Sequence, residues 1–372
     1  MSSLQSYFSI IKDPRQICKI EHELLDIIIL CIVGVLCGSE GWHDIEMVGH
    51  ARLEWFKDRG LLKKGVPVDD TIARIISRIS PEQLQSCFID WMKSLAQETQ
   101  GKVIAIDGKT LRHSFDKKKK KSAIHMVSAF ASANGVVLGQ KKTKEKSNEI
   151  TAIPELLQLI DIKGGIVTID AMGCQKEIAK KIISKDADYV LAVKDNQKNL
   201  HEDMQDFFKT ARELNFKKIN YDSFEEVNKG HGRIETRRYW LSDSLDSIGN
   251  VDDWEKLNCV GMVESERTVG DKTSIDTRYF ITSIECNARN FGNAVREHWA
   301  IENKLHWVLD VTFREDDSRI RRDNSSENMS VFRHIVLNAL KKDKSVKKSL
   351  KAKRFKASLE PNYASKILSE IF

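Results

Sequence analysis

Three acidic residues, Asp107, Asp170 and Glu302, are the groups in this chain whose type and placement could do chemistry. Asp107 closes the β-branched run KVIAID (Lys102 to Asp107), and Asp170 closes the apolar run that ends in TIDAMG, so each carboxylate is expected at the end of a buried strand. Groups at the carboxyl ends of neighbouring strands converge at one sheet edge, where ligands bind. Gly108 and Gly173 follow the two sites and let backbone approach closely there. A carboxylate pair at such an edge suits a hard divalent cation, which prefers oxygen ligands. Each aspartate taken alone is equally well read as a helix cap or a turn residue.

The third acid comes from REHWAIENKLHWVLD, where His298, Glu302, His306 and Asp310 recur every four residues and so share one helix face. They form a polar ladder in a segment otherwise carrying Trp299, Ile301, Leu305, Val308 and Leu309. An exposed polar stripe would give the same spacing; a histidine-rich zinc helix resembles it too, although HExxH is absent. Two divalent ions about 3.5 to 4 Å apart can activate an attacking oxygen on one side of a phosphate and stabilise the leaving oxygen on the other. Such phosphodiester chemistry needs no protein nucleophile, and the chain has no recognisable nucleophile motif. It also lacks the GxxxxGK[ST] loop of a nucleotide-triphosphate site, so no nucleotide cofactor is expected.

The elements that must position these acids follow from apolar periodicity. From residue 1 to about 100 the spacing is helical, with Asp69 and Asp70 opening the run Ile72, Ile75, Ile76, Ile79, and Ser80-Pro81 opening another. This predicts an N-terminal all-helical domain, in which either a DNA-binding helix-turn-helix or plain helical packing accounts for the pattern. Residues 101–372 then form a second domain. Strands at Lys102 to Asp107, Ile124 to Ser132 and Val136 to Lys142, the last two joined at Asn134-Gly135, precede a helix at about Asn148 to Ile160. A strand at Gly165 to Asp170, a helix at Gln175 to Ser184 and a strand at Tyr189 to Val193 complete the order βββ-α-β-α-β. That order predicts an α/β fold: a mixed sheet with helices on its faces. From about 197 to 290 the signal is mixed, with strand-like pieces at Arg238 to Leu241, Cys259 to Glu264 and Thr277 to Thr282, and reads as a β-rich insertion. Helical spacing returns at about Ala294 to Val311 and Glu327 to Lys341, followed by a tail crowded with lysine from Lys341 to Lys356.

Bulk properties narrow the class. At 372 residues and 41% hydrophobic the chain can bury more than one small core, and a net charge of +6 leans toward a polyanionic partner. Seven cysteines are scattered singly, with no CxxC pair, which fits a reducing compartment rather than a disulfide framework or zinc finger. The opening MSSLQSYFSIIKDPR has no basic-then-apolar signal pattern. The apolar run Leu25 to Cys37 is shorter than the ~20 residues needed to span a bilayer and reads as a buried helix. The expected location is therefore the cytoplasm, in reach of the nucleoid, with no membrane partner.

Several stretches in order resemble one family. AIDGKTLR (Ala105 to Arg112), KSNEITAIPELL (Lys146 to Leu157), TIDAMGCQ (Thr168 to Gln175), YVLAVKDNQ (Tyr189 to Gln197), GHGRIETR (Gly230 to Arg237) and HWAIENKLHWVLDVTFREDDSR (His298 to Arg319) resemble bacterial insertion-sequence transposases of the DDE type, in particular the H-repeat-associated group. DPR at Asp13 to Arg15, LCGSEGW at Leu36 to Trp42 and VDDTIARI at Val68 to Ile75 extend the likeness over nearly the whole chain. The resemblance implies an RNase H-like core interrupted by the β-rich insertion, with Asp107, Asp170 and Glu302 as a catalytic triad binding Mg²⁺ or Mn²⁺, two ions in all. It implies nicking of double-stranded DNA at an element's terminal inverted repeats, transfer of the freed 3′-hydroxyl into target DNA, and a homodimer in the DNA complex. Related enzymes carry a tyrosine, an arginine and a lysine around the glutamate; here those positions are Val295, His298 and Leu309, so only the WxIE portion is kept. A metal-dependent nuclease, or a DNA-binding relative that has lost catalysis, stands as the alternative.

Candidate DNA contacts are Lys109 and Arg112 beside the first acid, Lys194 and Gln197 after the last core strand, His231, Arg233 and Arg237 in the insertion, and His298 on the glutamate helix. Six or more phosphate contacts would give tight, salt-sensitive binding. Loop solubility is the competing account of these residues, as it is of the lysine run Lys117 to Lys121 and the C-terminal lysines.

Overall fold

The computed structural model describes residues 4–95, 102–115, 122–143, 149–230 and 232–369. The lysine run Lys117 to Lys121, His231 and the Lys146 to Asn148 part of one motif lie outside the described residues.

The chain opens with helices α1 (Leu4–Phe8), α2 (Leu24–Leu36), α3 (Trp42–Ala51), α4 (Leu53–Lys57), α5 (Asp69–Ile76) and α6 (Pro81–Leu95). In α2, LLDIIILCIVGVL is apolar nearly all round and is therefore buried on every side, with Ile27 to Val33 fully covered. No helix is long and apolar enough to cross a membrane among the described residues.

Among the described residues nine strands then form one sheet in the order β3-β2-β1-β4-β5-β9-β8-β7-β6. The first half is made by β1 (Val103–Leu111), β2 (Ile124–Ala131), β3 (Val136–Lys142), β4 (Ile166–Ile169) and β5 (Asp188–Val193), with helix α7 (Glu149–Leu159) between β3 and β4 and α8 (Lys176–Ile183) between β4 and β5. Strands β1, β2 and β3 are antiparallel neighbours, whereas β4 and β5 run parallel to β1. The sequence-derived order βββ-α-β-α-β is the order observed. The boundary that differs is the first: β1 continues four residues beyond Asp107, because Asp107 to Leu111 keep pairing with β2 (Ser128 to Ile124) after the parallel partner β4 has stopped.

After β5 come helix α9 (Lys198–Glu213) and strands β6 (Tyr221–Gly230), β7 (Arg233–Ser242), β8 (Cys259–Val269) and β9 (Lys272–Thr282). The three strand-like pieces read from sequence are the buried halves of longer strands, and β9 pairs with β5, so these strands extend the core sheet. Strand β6, YDSFEEVNKG, carries too little apolar periodicity to be read locally. Its partner β7 supplies the missing stabilisation through the ladder and through ion pairs such as Arg238 to Glu225 at 2.7 Å.

Helix α10 (Ala288–Ile301), capped by Asn287, crosses the face of β1 and passes through a π-helical segment (Glu302–His306) into α11 (Trp307–Val311). Helices α12 (Ser325–Lys342), α13 (Leu350–Leu359) and α14 (Pro361–Ser369) close the fold. Helix α12 is buried from Ser325 to Leu340 and packs on α2, α6 and β3, so one continuous apolar core runs from Phe8 to Leu368. Two of the C-terminal cations are interior caps: Lys353 Nζ donates to the carbonyl of Leu340 at 2.9 Å, and Arg354 to that of Val35 at 2.8 Å. Both donate to carbonyls in the last turn of a helix, where intrahelical donors run out; the Val35 carbonyl also accepts from the Gly38 N–H at 3.2 Å.

Candidate metal centre

Four consecutive pairs place Val103 to Ile106 of β1 opposite Ile166 to Ile169 of β4; one more step along that register puts Asp107 opposite Asp170. Since β4 ends there and β1 does not, the crevice opens beside Asp107. Helix α10 lies over this crevice, and Asp107, Asp170 and Glu302 line one cavity of about 250 Å³ with Thr168, Lys194, Arg278, His298 and Trp299. The three acids chosen from sequence therefore share one cavity, although they do not stand equally in it. Asp107, Glu302 and His306 bring ligand atoms within 4.8 Å of one another. Asp170 sits outside that cluster, its Oδ1 accepting from the backbone N–H of Met172 (3.1 Å) and Gly173 (3.4 Å) at the start of a short 3₁₀ turn.

The π-helical segment explains how the ladder meets the sheet. In an α-helix each four-residue step overshoots a full turn by about 40°, so three steps from His298 to Asp310 would swing the last side chain round by about 120°. A π turn absorbs one extra residue and turns everything after it back by about 100°, leaving a net drift of roughly 20°. All four side chains consequently meet β1 or β4: His298 Nδ1 shares a hydrogen bond with Thr168 Oγ1 (3.0 Å), Glu302 and His306 face Asp107, and Asp310 pairs with Lys109. Local periodicity locates the ladder; it cannot reveal the π turn that keeps it in line.

The electrostatics fit a divalent cation. Asp107 is largely buried, and burial first, then the neighbouring Glu302, pushes its pKa up. Burial likewise holds the His306 imidazole neutral, lowering its pKa despite the nearby carboxylates. Among the described residues no lysine or arginine lies within ion-pair distance of Asp107 or Glu302; the nearest ring nitrogen, His306 Nδ1, is 3.6 Å from Asp107 Oδ2 and 3.8 Å from Glu302 Oε2. Two close carboxylates without a cationic partner are a donor set that a hard divalent ion satisfies.

The nominated DNA contacts separate into two groups. Lys109 is not free for a phosphate: its Nζ pairs with Asp310, with Glu315 at 2.9 Å and with Asp316 at 3.6 Å, and its side chain is 11% exposed. Gln197 donates to the Cys174 carbonyl (2.9 Å), Arg237 pairs with Glu235 (2.7 Å) and Glu226 (3.6 Å), and His298 is tied to β4. Arg112 keeps an exposed side chain beside Asp316 (3.2 Å), while Lys194 and Arg233 are exposed. Lys194 opens onto the acidic cavity, and Arg233 lines a neighbouring groove of about 750 Å³ between β7–β9 and α10. That groove holds Arg233, Arg237, Arg267, Arg278, Arg296 and Lys304 against Glu235, Asp276 and Glu297. Arg278 and Trp299, the guanidinium 4.9 Å from the ring centre, border both cavities, which therefore adjoin.

Glu149, although it lies in the stretch KSNEITAIPELL, and His125 are not among the nominated site residues, since neither carries a local signal of its own. They hydrogen-bond at 2.7 Å over the backbone of Gly108, where a Cβ would overlap both side chains. Gly108→Ala is therefore expected to displace this pair and cost about 1–3 kcal/mol by overpacking, checked by thermal or urea unfolding.

The chain is similar to known proteins over almost its whole length. A family model described as a transposase DDE domain matches residues 98–339, and one described as DDE_Tnp_1-associated matches residues 5–92. The chain is 47% identical to "Putative transposase YncI" of Escherichia coli O157:H7, covering 99% of this chain and 95% of that protein. It is 45% identical to "H repeat-associated putative transposase YhhI" of Escherichia coli strain K12, covering 99% and 98%. Among solved structures, the piggyBac transposase synaptic complex with hairpin DNA superposes with a TM-score of 0.45 at 12% identity, over 99% of this chain and 77% of that one.

Proposed function

Because the chain belongs to the DDE-domain transposases, we propose that it nicks DNA at the ends of a mobile element and joins the freed 3′-hydroxyl to target DNA. The observation that carries this reading is the lining of one cavity by Asp107, Asp170 and Glu302 at the point where β1 overruns β4. The strand order β3-β2-β1-β4-β5, with β2 alone among the central three antiparallel to its neighbours, supports an RNase H-like core.

Asp107 stands between the other two acids and would be shared by two divalent ions, Mg²⁺ or Mn²⁺, with Asp170 on one side and Glu302 on the other. Bound there, the ions supply Lewis-acid polarisation of the phosphate and lower the pKa of the attacking oxygen. The chain's own work is positioning. Thr168 and His298 fix α10 on β4, the π turn aims Glu302 at Asp107, and the Lys109 cluster anchors the far end of the ladder. The groove beside the acidic cavity carries the DNA backbone, with Arg233, Arg267 and Lys304 facing phosphates and Lys194 close to the scissile one. A homodimer then holds two ends together.

Incubating the full chain with precleaved 3′-hydroxyl terminal repeats, Mg²⁺ and a supercoiled plasmid tests the reading. Insertion products are expected. Cleavage without insertion would leave a nuclease, and DNA binding without metal-stimulated cleavage would leave a silent relative. Arg233→Ala with Lys194→Ala should weaken binding to terminal-repeat and unrelated duplexes alike. The slope of log affinity against log salt should flatten by about 0.9 for each phosphate that the variant no longer neutralises, measured by fluorescence anisotropy.

A further inference from the structure

The polar ladder contains one member that the acidic triad does not use. His306 lies at the end of the π turn, its side chain 7% exposed, and among the described residues neither ring nitrogen makes a hydrogen bond; Nε2 is wholly buried without a partner. A buried polar atom without a partner is costly, and an ion would supply one to Nδ1, the ring nitrogen on the side of the two acids. The Nδ1 edge supplies the geometry. At 3.6 Å from Asp107 Oδ2 and 3.8 Å from Glu302 Oε2 it is too far for a hydrogen bond to either. Adjacent atoms of an octahedral shell with bond lengths of about 2.0–2.2 Å stand about 2.8–3.1 Å apart, so the imidazole and the two carboxylates close in by about 0.5–1 Å to complete the shell. The π turn produces this arrangement, since it is the segment that carries both Glu302 and His306 toward Asp107.

We propose that His306 Nδ1 is a nitrogen ligand of the metal ion held between Asp107 and Glu302, giving that position a mixed oxygen and nitrogen shell. The inference rests on the acidic site proposed above and adds a selectivity to it. Imidazole suits transition ions better than magnesium, so the Asp107–Glu302–His306 position favours a transition ion, Mn²⁺ included, over Mg²⁺, whereas the Asp107–Asp170 position, built from oxygen alone, does not discriminate in this way.

Mn²⁺ bound to the full chain provides the test through pulsed electron paramagnetic resonance and calorimetry. The wild type should show a nitrogen-14 coupling on Mn²⁺; His306→Gln should lose it and bind Mn²⁺ about tenfold or more weakly, with a smaller change for Mg²⁺. A wild-type spectrum without nitrogen coupling, or a coupling that survives His306→Gln, overturns the proposal. Should His306→Gln not fold, His298→Gln and His125→Gln decide it: a coupling that persists in both belongs to His306, and one that either removes does not. Asp107→Asn separates this inference from its premise. If that variant keeps wild-type Mn²⁺ affinity, the acidic site itself is wrong; if it loses affinity while the wild type shows no nitrogen coupling, only the ligand role of His306 falls.

Discussion

Asp107→Asn is expected to lower metal-dependent strand transfer by about a thousandfold or more while leaving the protein at least as stable as the wild type in the absence of metal. The loss follows from position. Asp107 follows the last β1–β4 pair, one step from Asp170, and lies close to Glu302, so its removal would break both of the proposed ion positions at once. Metal stabilisation of the transition state amounts to several kcal/mol, and each 1.4 kcal/mol is tenfold in rate. The stability expectation has the opposite sign for a physical reason. Burial and Glu302 push the Asp107 pKa up, so the ionised carboxylate disfavours the fold, and its contribution is best at low pH and lost as pH rises through the raised folded value. Asparagine keeps the shape without that charge. Mg²⁺ should then raise the melting temperature of the wild type but not of Asp107→Asn, because only the former binds it. A variant that keeps strand-transfer activity within tenfold would remove Asp107 from the centre of the reaction.

Glu315→Ala is the change expected to damage the fold most, by about 3–5 kcal/mol, since it strands buried cations. Glu315 is 3% exposed; its Oε2 meets Lys109 at 2.9 Å and its Oε1 meets Arg333 at 3.3 Å. Burial alone would raise its pKa, yet Lys109 and Arg333 outweigh burial and bring it down from 4.5 to about 2, a drop worth roughly 3 kcal/mol. With a depressed folded value, that stability is present above about pH 4.5 and drains away as pH falls toward 2. Urea unfolding between pH 7 and pH 3 should show the wild type losing stability over that window and Glu315→Ala losing much less. Lys109→Met added to Glu315→Ala should recover part of the loss, because it removes one of the stranded charges. Equal acid sensitivity in wild type and variant would dismiss Glu315 as the source.

Much of the core is legible from residue order because its signals are local. Short continuous apolar runs ending at Asp107 and Asp170, and four-residue spacing around Glu302, are consequences of backbone geometry and burial that act within a few residues. Strand β6 escapes such reading because only Tyr221, Phe224 and Val227 of its residues are apolar and they fall three apart rather than two, and its stability resides in pairing with β7 rather than in its own propensity. The end of β1 is misplaced for a related reason: pairing with β2 continues it through the polar stretch DGKT.

Residue order alone nominates Asp107, Asp170 and Glu302, the elements that carry them and the order of those elements, and the fold brings the three to one cavity. Only folding in three dimensions settled who stands beside whom. Lys109, two residues from an acid, has the local features of a phosphate contact, yet Asp310 and Glu315, some two hundred residues later, take it. His306 has those of one rung in a stripe, until the π turn sets its Nδ1 against Asp107. Such pairings depend on where the chain returns after folding, and burial then fixes their strength, whereas periodicity and capping are written within a few residues of backbone.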